Sequence, residues 1–289
     1  MTKDVQCRRG YDASYSELME LLNKSFGFST PEEQFLGLLP KLYREEYRPQ
    51  DNNYIVTEDG VPVAAVGAFD HTLRVCGHSL KCRGVGNVAV HPDHRSKGFM
   101  RIAMDMSLKD MISDGVAVSS LGGHRQRYQY FGYDKTGVKY TYTVTKNNIR
   151  HVFGSSDAPY TLREITEPTD PSIDLILDLN EKFSVKPIRP RERYLDIANS
   201  WRSRLLSFFE EERFVGYCIL DKNNCVSEIQ VANDGELMGA VRTLYAYVEN
   251  EYKIALSPHQ ADYRRILESF AENITQTTSM SIIYLTTGR

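Results

Sequence analysis

Apolar residues recur at helical spacing twice before residue 45. Leu18, Leu21, Leu22 and Phe26 fall on one face of a segment from Ser14 to Phe26. Thr30-Pro31-Glu32-Glu33 offers a cap, a proline for the first helical position and acidic residues for the first turn. Phe35, Leu36, Leu38, Leu39 and Leu42 then continue a second helix. Beyond that the period shortens. Tyr54-Ile55-Val56, Val61 to Phe69, Thr72 to Val75 and the stretch from Leu80 read as strands, with turns at Glu58-Asp59-Gly60 and Gly77-His78-Ser79. From Phe99 to Ser113 the helical period returns, with Met100, Ala103, Met104, Leu108 and Met111 on one face. Gly115 ends that helix, Val116 to Leu121 is a buried strand closed by Gly122-Gly123, and Val138 to Val144 alternates as a half-exposed strand.

The second half reads as a worn copy of the first. Phe214 to Leu220 and Val226 to Val231 are strands joined by the turn Asp221 to Asn224, and Leu237, Val241, Leu244 and Tyr245 give the following helix its buried face. The polar run 154–159 between the halves places a domain boundary there, giving domains 1–153 and 154–289. The chain's 289 residues are comfortable for two such domains.

Composition narrows the classes. The net charge of −3 points neither to nucleic acid nor to an acidic membrane as the main partner. No apolar run is long enough to cross a bilayer, and Met1 to Gln6 lacks the apolar core of a signal peptide. Five cysteines, an odd number without CxxC spacing, suit reduced thiols in a cytoplasmic protein. The histidines and cysteines have no zinc-ligand spacing, so no metal is expected.

The chemistry concentrates in residues 85–100. A buried strand ending Val88-Ala89-Val90 is followed by the turn His91-Pro92, the loop Arg95-Ser96-Lys97-Gly98 and the helix opening Phe99-Met100. That order aims unpaired backbone N–H groups and the positive end of a helix dipole at one point, which suits an anion such as a pyrophosphate. Gly98 removes the side chain that would block close approach, and Arg95 and Lys97 add charge. No Gly-Lys-Ser/Thr follows, so the loop is not a Walker P-loop, and a single glycine does not make GxGxxG. The worn copy has only Ala232-Asn233-Asp234-Gly235 at this place, so one such site per chain is expected.

Val88 to Pro92 with Arg95 to Met100 resembles motif A of the GNAT N-acetyltransferase superfamily. Tyr128-Gln129-Tyr130-Phe131-Gly132-Tyr133 resembles the family's Tyr-x-x-x-Gly-Phe/Tyr segment. Arg83 to Val88 is similar to the Eis-like branch, in which an active acetyltransferase domain precedes a degenerate one. The resemblance implies an α/β fold of the α+β kind: a mixed, mostly antiparallel sheet flanked by helices, with a second degenerate GNAT-like domain.

It also implies acetyl-coenzyme A (acetyl-CoA) as co-substrate. The pyrophosphate would sit on the N–H groups of Ser96 to Arg101, with Phe99 and Met100 opening the helix, and the pantetheine arm would pair with Val88, Ala89 and Val90. Tyr128 matches the family tyrosine that protonates the leaving thiolate, whereas Tyr130 and Tyr133 read as structural. A backbone N–H near Val90 would stabilise the oxyanion. The implied activity is direct acetyl transfer to an amine of a small molecule or peptide. The alternatives are a non-catalytic acyl-CoA sensor and a transferase using another acyl-CoA.

The second domain would shape an acceptor pocket between the halves or an oligomer contact. No residue declares itself as the base. Asn87 stands where some relatives carry a glutamate, but an amide cannot accept the proton. His91 and His94 read as surface residues, His124 stands nearer the site, and the terminal carboxylate of Arg289 is a further candidate. Lys186 to Arg193 reads as a solvated basic loop.

Overall fold

The computed structural model describes residues 3–285 except 11 and 32. The chain forms two compact units, 1–136 with 280–289, and 137–279. The polar run 154–159, where the sequence places a boundary, therefore lies inside the second unit, and residues 280–285 return to the first. The chain passes between units within strands, which carry no polar or flexible signature.

The first unit opens with β1 (Val5–Arg9), a strand that its short, polar-rich sequence does not advertise. Helix α1 (Tyr15–Phe26) follows, ended by Gly27 in the left-handed region. The expected second helix is broken into α2 (Phe35–Leu38) and α3 (Pro40–Tyr43). Pro40 causes the break: it has no N–H to give to the turn before it, and its ring disfavours helical backbone at Leu39. Strands β2 (Asn53–Glu58), β3 (Val61–Val75) and β4 (His78–Val90) form an antiparallel meander, and β1 pairs antiparallel with β2. Helix α4 (Phe99–Ser113) then crosses over to β5 (Val118–Leu121), which pairs parallel with β4.

A short helix α5 (Arg125–Tyr128) leads to β6 (Asp134–Val144), along which the chain enters the second unit. Residues Ser281 to Tyr284, the end of the last strand, return to pair antiparallel with β5. The sheet is covered on both faces. Helices α1 to α3 pack on one face, through Leu18, Leu22, Phe35 and Tyr43 against Ile55, Ala65 and Ala89. Helix α4 packs on the other, through Phe99, Ala103, Met104 and Met111 against Val56, Val66 and Val85.

The β3–β4 ladder carries one irregularity. Asn87 and Val88 stand opposite Val66 alone, a β-bulge, and Asn87 has φ +37°. The bulge is held by side chains. Asn87 Oδ1 accepts from the Tyr43 hydroxyl, Asn87 Nδ2 donates 2.7 Å to Asn53 Oδ1, and Asn53 Nδ2 donates 2.8 Å to the Pro49 carbonyl. Gly67 makes the room, since a Cβ there would fall 2.0 Å from Asn87 Oδ1. Beyond the last β4–β5 pair, Val85 with Leu121, the two strands separate.

The second unit continues with α6 (Lys146–Phe153), β7 (Thr161–Glu164), α7 (Ser172–Asn180), the short β8 (Val185–Pro187) and α8 (Tyr194–Ala198). Next come β9 (Arg204–Glu210), β10 (Arg213–Leu220), β11 (Cys225–Val231), α9 (Leu237–Val248), β12 (Tyr252–Leu256), α10 (Ala261–Glu268) and β13 (Asn273–Tyr284). Strands β9 to β11 form an antiparallel meander, and α9 crosses over to β12, which pairs parallel with β11. That repeats the order of β2 to β5 around α4.

The Lys186–Arg193 stretch is tied down rather than solvated. Lys186 is buried, with its ammonium on the Asn180 carbonyl at 3.0 Å, and Arg189 makes a two-pronged pair with Glu228 at 2.7–2.8 Å. The partner of Arg189 lies 39 residues away, which composition cannot reveal.

Candidate functional site

The strand-to-helix turn of the first unit borders a cavity of about 640 Å³. Its floor is the end of β4, and its rim is the loop into α4. The other walls are Ser25 and Phe26 at the end of α1 and, from the α5 segment, Arg127, Tyr130 and Phe131. All ten residues expected to hold the co-substrate line it: Val88, Ala89, Val90 and the run Arg95 to Arg101.

The backbone explains the shape. Ser96 (φ +64°) and Gly98 (φ +82°) turn the chain sharply into α4. A Cβ on Gly98 would meet no atom within 4 Å, so the space beside it is open. Among the described residues, the N–H groups of 96–100 donate to no backbone carbonyl. The Arg101 N–H is different, because it donates to the Gly98 carbonyl at 2.9 Å. The cradle is thus one residue shorter than the sequence suggests, since the first turn of α4 closes early.

Strand β4 contributes an edge. The His91 N–H donates to the Val63 carbonyl on β3 at 2.8 Å. N–H directions alternate along a strand, so the Val90 and Val88 N–H groups point away from β3. On that side β5 has already ended at Leu121, leaving the edge open.

Four cations line the cavity, Arg95, Lys97, Arg101 and Arg127, and none of its lining residues is acidic. Arg95 is anchored by donating 3.0 Å to the Ser25 carbonyl, and the Arg101 guanidinium lies 4.8 Å from the Tyr130 ring centre. Behind the loop stands Glu58, 6% exposed at the end of β2. Its carboxylate receives Lys3 at 2.8 Å, His94 Nδ1 at 3.0 Å and Lys97 at 3.4 Å. The Lys3 hydrogen bond, and then Lys97, hold it below the usual carboxylate range. Nothing in the local sequence marks Glu58, because its partners lie at residues 3, 94 and 97.

Tyr128 is buried behind the lining. Its ring packs on Gly123, where a Cβ would fall 2.6 Å away. Burial raises its phenol above the ordinary value, opposed by Arg127. Such a group keeps its proton at neutral pH and can only give it to a strong base. Tyr133 is fully buried, with its hydroxyl 2.6 Å from Ser119 Oγ and its phenol pushed up to about 12 by burial. Tyr130 is 61% exposed and forms part of the cavity wall.

The histidines divide similarly. His91 is half-buried and its Nδ1 accepts from the Asp93 N–H at 3.3 Å, while His94 faces Glu58 rather than solvent. His124 is exposed, and Arg289 lies outside the described residues. Among the described residues no group of three or more His, Cys, Asp or Glu is arranged to hold a metal ion, and no helix is long and apolar enough to cross a membrane.

The corresponding turn of the second unit carries no open cradle. Ahead of α9, the Asn233 side chain and Glu236 form a capping box, with Glu236 accepting 3.0 Å from the Asn233 N–H. Arg213 donates to the same carboxylate at 2.7 Å.

Comparison with known proteins decides what the first cavity belongs to. The sequence profile of the acetyltransferase (GNAT) domain matches residues 6–136. Residues 6–136 form a GNAT acetyltransferase domain. No curated protein matches the chain significantly. Among solved structures, a conserved protein of Enterococcus faecalis described as a "probable N-acyltransferase" superposes with a TM-score of 0.74 at 18% identity, over 99% of this chain and 73% of that one. A GCN5-related N-acetyltransferase of Kribbella flavida gives 0.69 at 16% identity, over 98% and 72%. Eis1 of Mycobacterium abscessus gives 0.63 at 13% identity, over 98% and 74%.

These likenesses show the fold, a mixed α/β arrangement with a largely antiparallel sheet flanked by helices. The GNAT domain implies acyl-CoA as the substrate that brings the acyl group. The cavity's residues fit that molecule, with unpaired N–H groups and cations for a diphosphate and an open strand edge for an amide-bearing arm.

Proposed function

We propose that the chain is an N-acetyltransferase that moves the acetyl group of acetyl-CoA directly to a primary amine of a small molecule or peptide. The observation that carries the reading is the junction of an open β4 edge at Val88–Val90 with the cation-lined, N–H-rich turn at 96–100. The turn holds the diphosphate. The edge aligns the pantetheine arm as an added strand. The outward N–H near Val90 steadies negative charge on the thioester oxygen as the amine attacks. Tyr128 gives its proton to the departing sulfur.

In this reading the catalytic domain is the N-terminal one, the C-terminal domain is a degenerate copy without a co-substrate site, and the protein works in the cytoplasm without a metal. The capped turn at Asn233–Glu236 supports the single site.

A second reading, a non-catalytic acyl-CoA sensor, draws on one observation: Tyr128 stands behind the cavity lining rather than in it. Thiol release from acetyl-CoA with a panel of primary amines separates the two. The transferase reading expects release with at least one amine and a fall of about 100-fold in kcat for Tyr128→Phe at unchanged co-substrate affinity. Binding of a CoA analogue without turnover of any amine establishes the sensor instead. Competition between acetyl-CoA and longer acyl-CoA compounds fixes the donor.

A further inference from the structure

The acceptor's proton needs a destination, and β3 supplies a group that neither the motif nor the cavity contains. His71 lies on β3, paired with Cys82 on β4, on the face covered by α1 to α3. Two residues along β4 from that pair, Gly84 and then Gly86 present no side chain on this face. A Cβ at Gly84 would lie 3.8 Å from His71 Cε1 and 3.9 Å from Ser120 Oγ, and one at Gly86 would lie 3.7 Å from the Phe69 ring. These are ordinary contact distances, so a small group laid on the strip Gly84–Gly86 rests directly against His71, Phe69 or Ser120. His71, Phe69 and Ser120 surround it.

The strip sits at the apex of the split between β4 and β5, which opens after the pair Val85–Leu121. An arm that starts at the turn 96–100 and follows the β4 edge past Val90 brings its thioester to the outward N–H of Val88, roughly 7 Å of strand from Gly86. Its end lies beside the apex, on the open β4 edge. The opposite side of the apex, lined by His71, is left for the acceptor.

The ring is prepared for one task. Its Nδ1 lies 3.5 Å from the Phe69 carbonyl oxygen, which can only accept. The hydrogen therefore sits on Nδ1 and the lone pair on Nε2. We infer that His71 is the base that takes the proton from the acceptor's ammonium group, an inference that rests on the amine-transfer reading above.

The step balances. The ammonium passes one proton to Nε2, and the freed lone pair forms the C–N bond at the thioester carbonyl. The C–S pair departs on sulfur, which takes the proton of Tyr128. The nitrogen loses its second proton as the amide forms, that proton restores the Tyr128 phenol by way of water, and the imidazolium returns its own to water. Burial first of all lowers the His71 pKa, so the ring is neutral and ready to accept at neutral pH. The groups that bear on it are Asp70 on its own strand and Lys41 on α3, of opposite effect. The buried Cys82 thiol faces it from β4, and uncharged Gly84 and Ser120 face it from β4 and β5.

The test is the pH profile of kcat/KM for His71→Gln and His71→Asn with an amine that the wild-type chain consumes. Both variants are expected to lose about 100-fold in rate and the inflection on the acid side, while binding a CoA analogue as tightly as wild type. The loss should shrink with an acceptor of low basicity, whose amine is already neutral at the assay pH, a discrimination that a merely structural histidine would not show. Unchanged analogue affinity and thermal unfolding temperature certify folding, and the asparagine variant keeps a donor near the Phe69 carbonyl. If the wild-type chain turns over an amine and both variants keep its rate and its inflection, His71 is not the base and the transferase reading stands. If the wild-type chain consumes no amine, the transferase reading falls and the inference falls with it.

Discussion

The Tyr43 hydroxyl donates to Asn87 Oδ1 at 2.5 Å, and both side chains are buried. This bond joins α3 to the bulge of β4, the point from which the strand diverges from β5. Removing either end leaves a buried polar group without its partner. Asn87→Ala strands both the Tyr43 hydroxyl and Asn53 Oδ1, and should lower stability by about 2–4 kcal/mol. Tyr43→Phe strands only one group and should cost about 1–2 kcal/mol. Urea unfolding measures both. Wild-type midpoints for the two variants would mean that the bulge is held by something else.

Gly98 separates a backbone requirement from a space requirement. At φ +82° an alanine is strained by about 1–2 kcal/mol, but its methyl group meets nothing in the free protein. Gly98→Ala should therefore fold with a modest loss of stability and bind a CoA analogue at least about tenfold more weakly, a deficit of about 1.4 kcal/mol. Calorimetric titration at a temperature where the variant is fully folded isolates the second effect. Equal affinities would show that no ligand approaches the loop there.

Glu58 gives the loop a pH dependence. Its folded-state pKa lies below the ordinary carboxylate value because Lys3 and Lys97 favour the charged form. Its contribution is fully present above the unfolded value and disappears as pH falls through the lowered folded value. Glu58→Gln should flatten the acid side of the stability curve in that window and loosen the loop at neutral pH. Thermal unfolding temperatures measured at intervals from pH 3 to pH 7 read the difference. Parallel curves for variant and wild type would remove Glu58 from this role.

The five thiols should react in a set order. Cys76 is exposed at the tip of the β3–β4 hairpin, whereas Cys82 and Cys218 are buried. Burial pushes the half-buried Cys7 up to about 11, so little thiolate exists there near neutrality. Iodoacetamide at pH 8 followed by peptide mapping should find Cys76 alkylated first, with Cys7 at least about tenfold slower. Faster labelling of Cys7 would contradict the packing of β1 against the sheet.

Features made by neighbouring residues were legible in the sequence. The strand, the turn and the start of α4 are contiguous, so their residue pattern picks out ten residues that the fold brings round one cavity. Contacts across long separations left no such trace. Glu58 meets Lys97 across 39 residues, and Asn53 meets Asn87 across 34. The position of a tyrosine behind or within a wall depends on one turn of α5, which sets Tyr128 behind the lining and Tyr130 in it. Pro40 interrupts the apolar spacing from Phe35 to Leu42, so two helices stand where that spacing predicts one.

The Glu236 carboxylate at the turn before α9 has a consequence of its own. In the first unit the proposed co-substrate would complete the equivalent turn, so its occupancy would rise and fall with the supply of that molecule. In the second unit the anion is covalently part of the chain and is never absent. On the proposed reading, one half of the protein answers to the supply of its co-substrate and the other does not. Converting the copy into a second responsive half would require removing a charge that the fold already uses, not merely adding a loop.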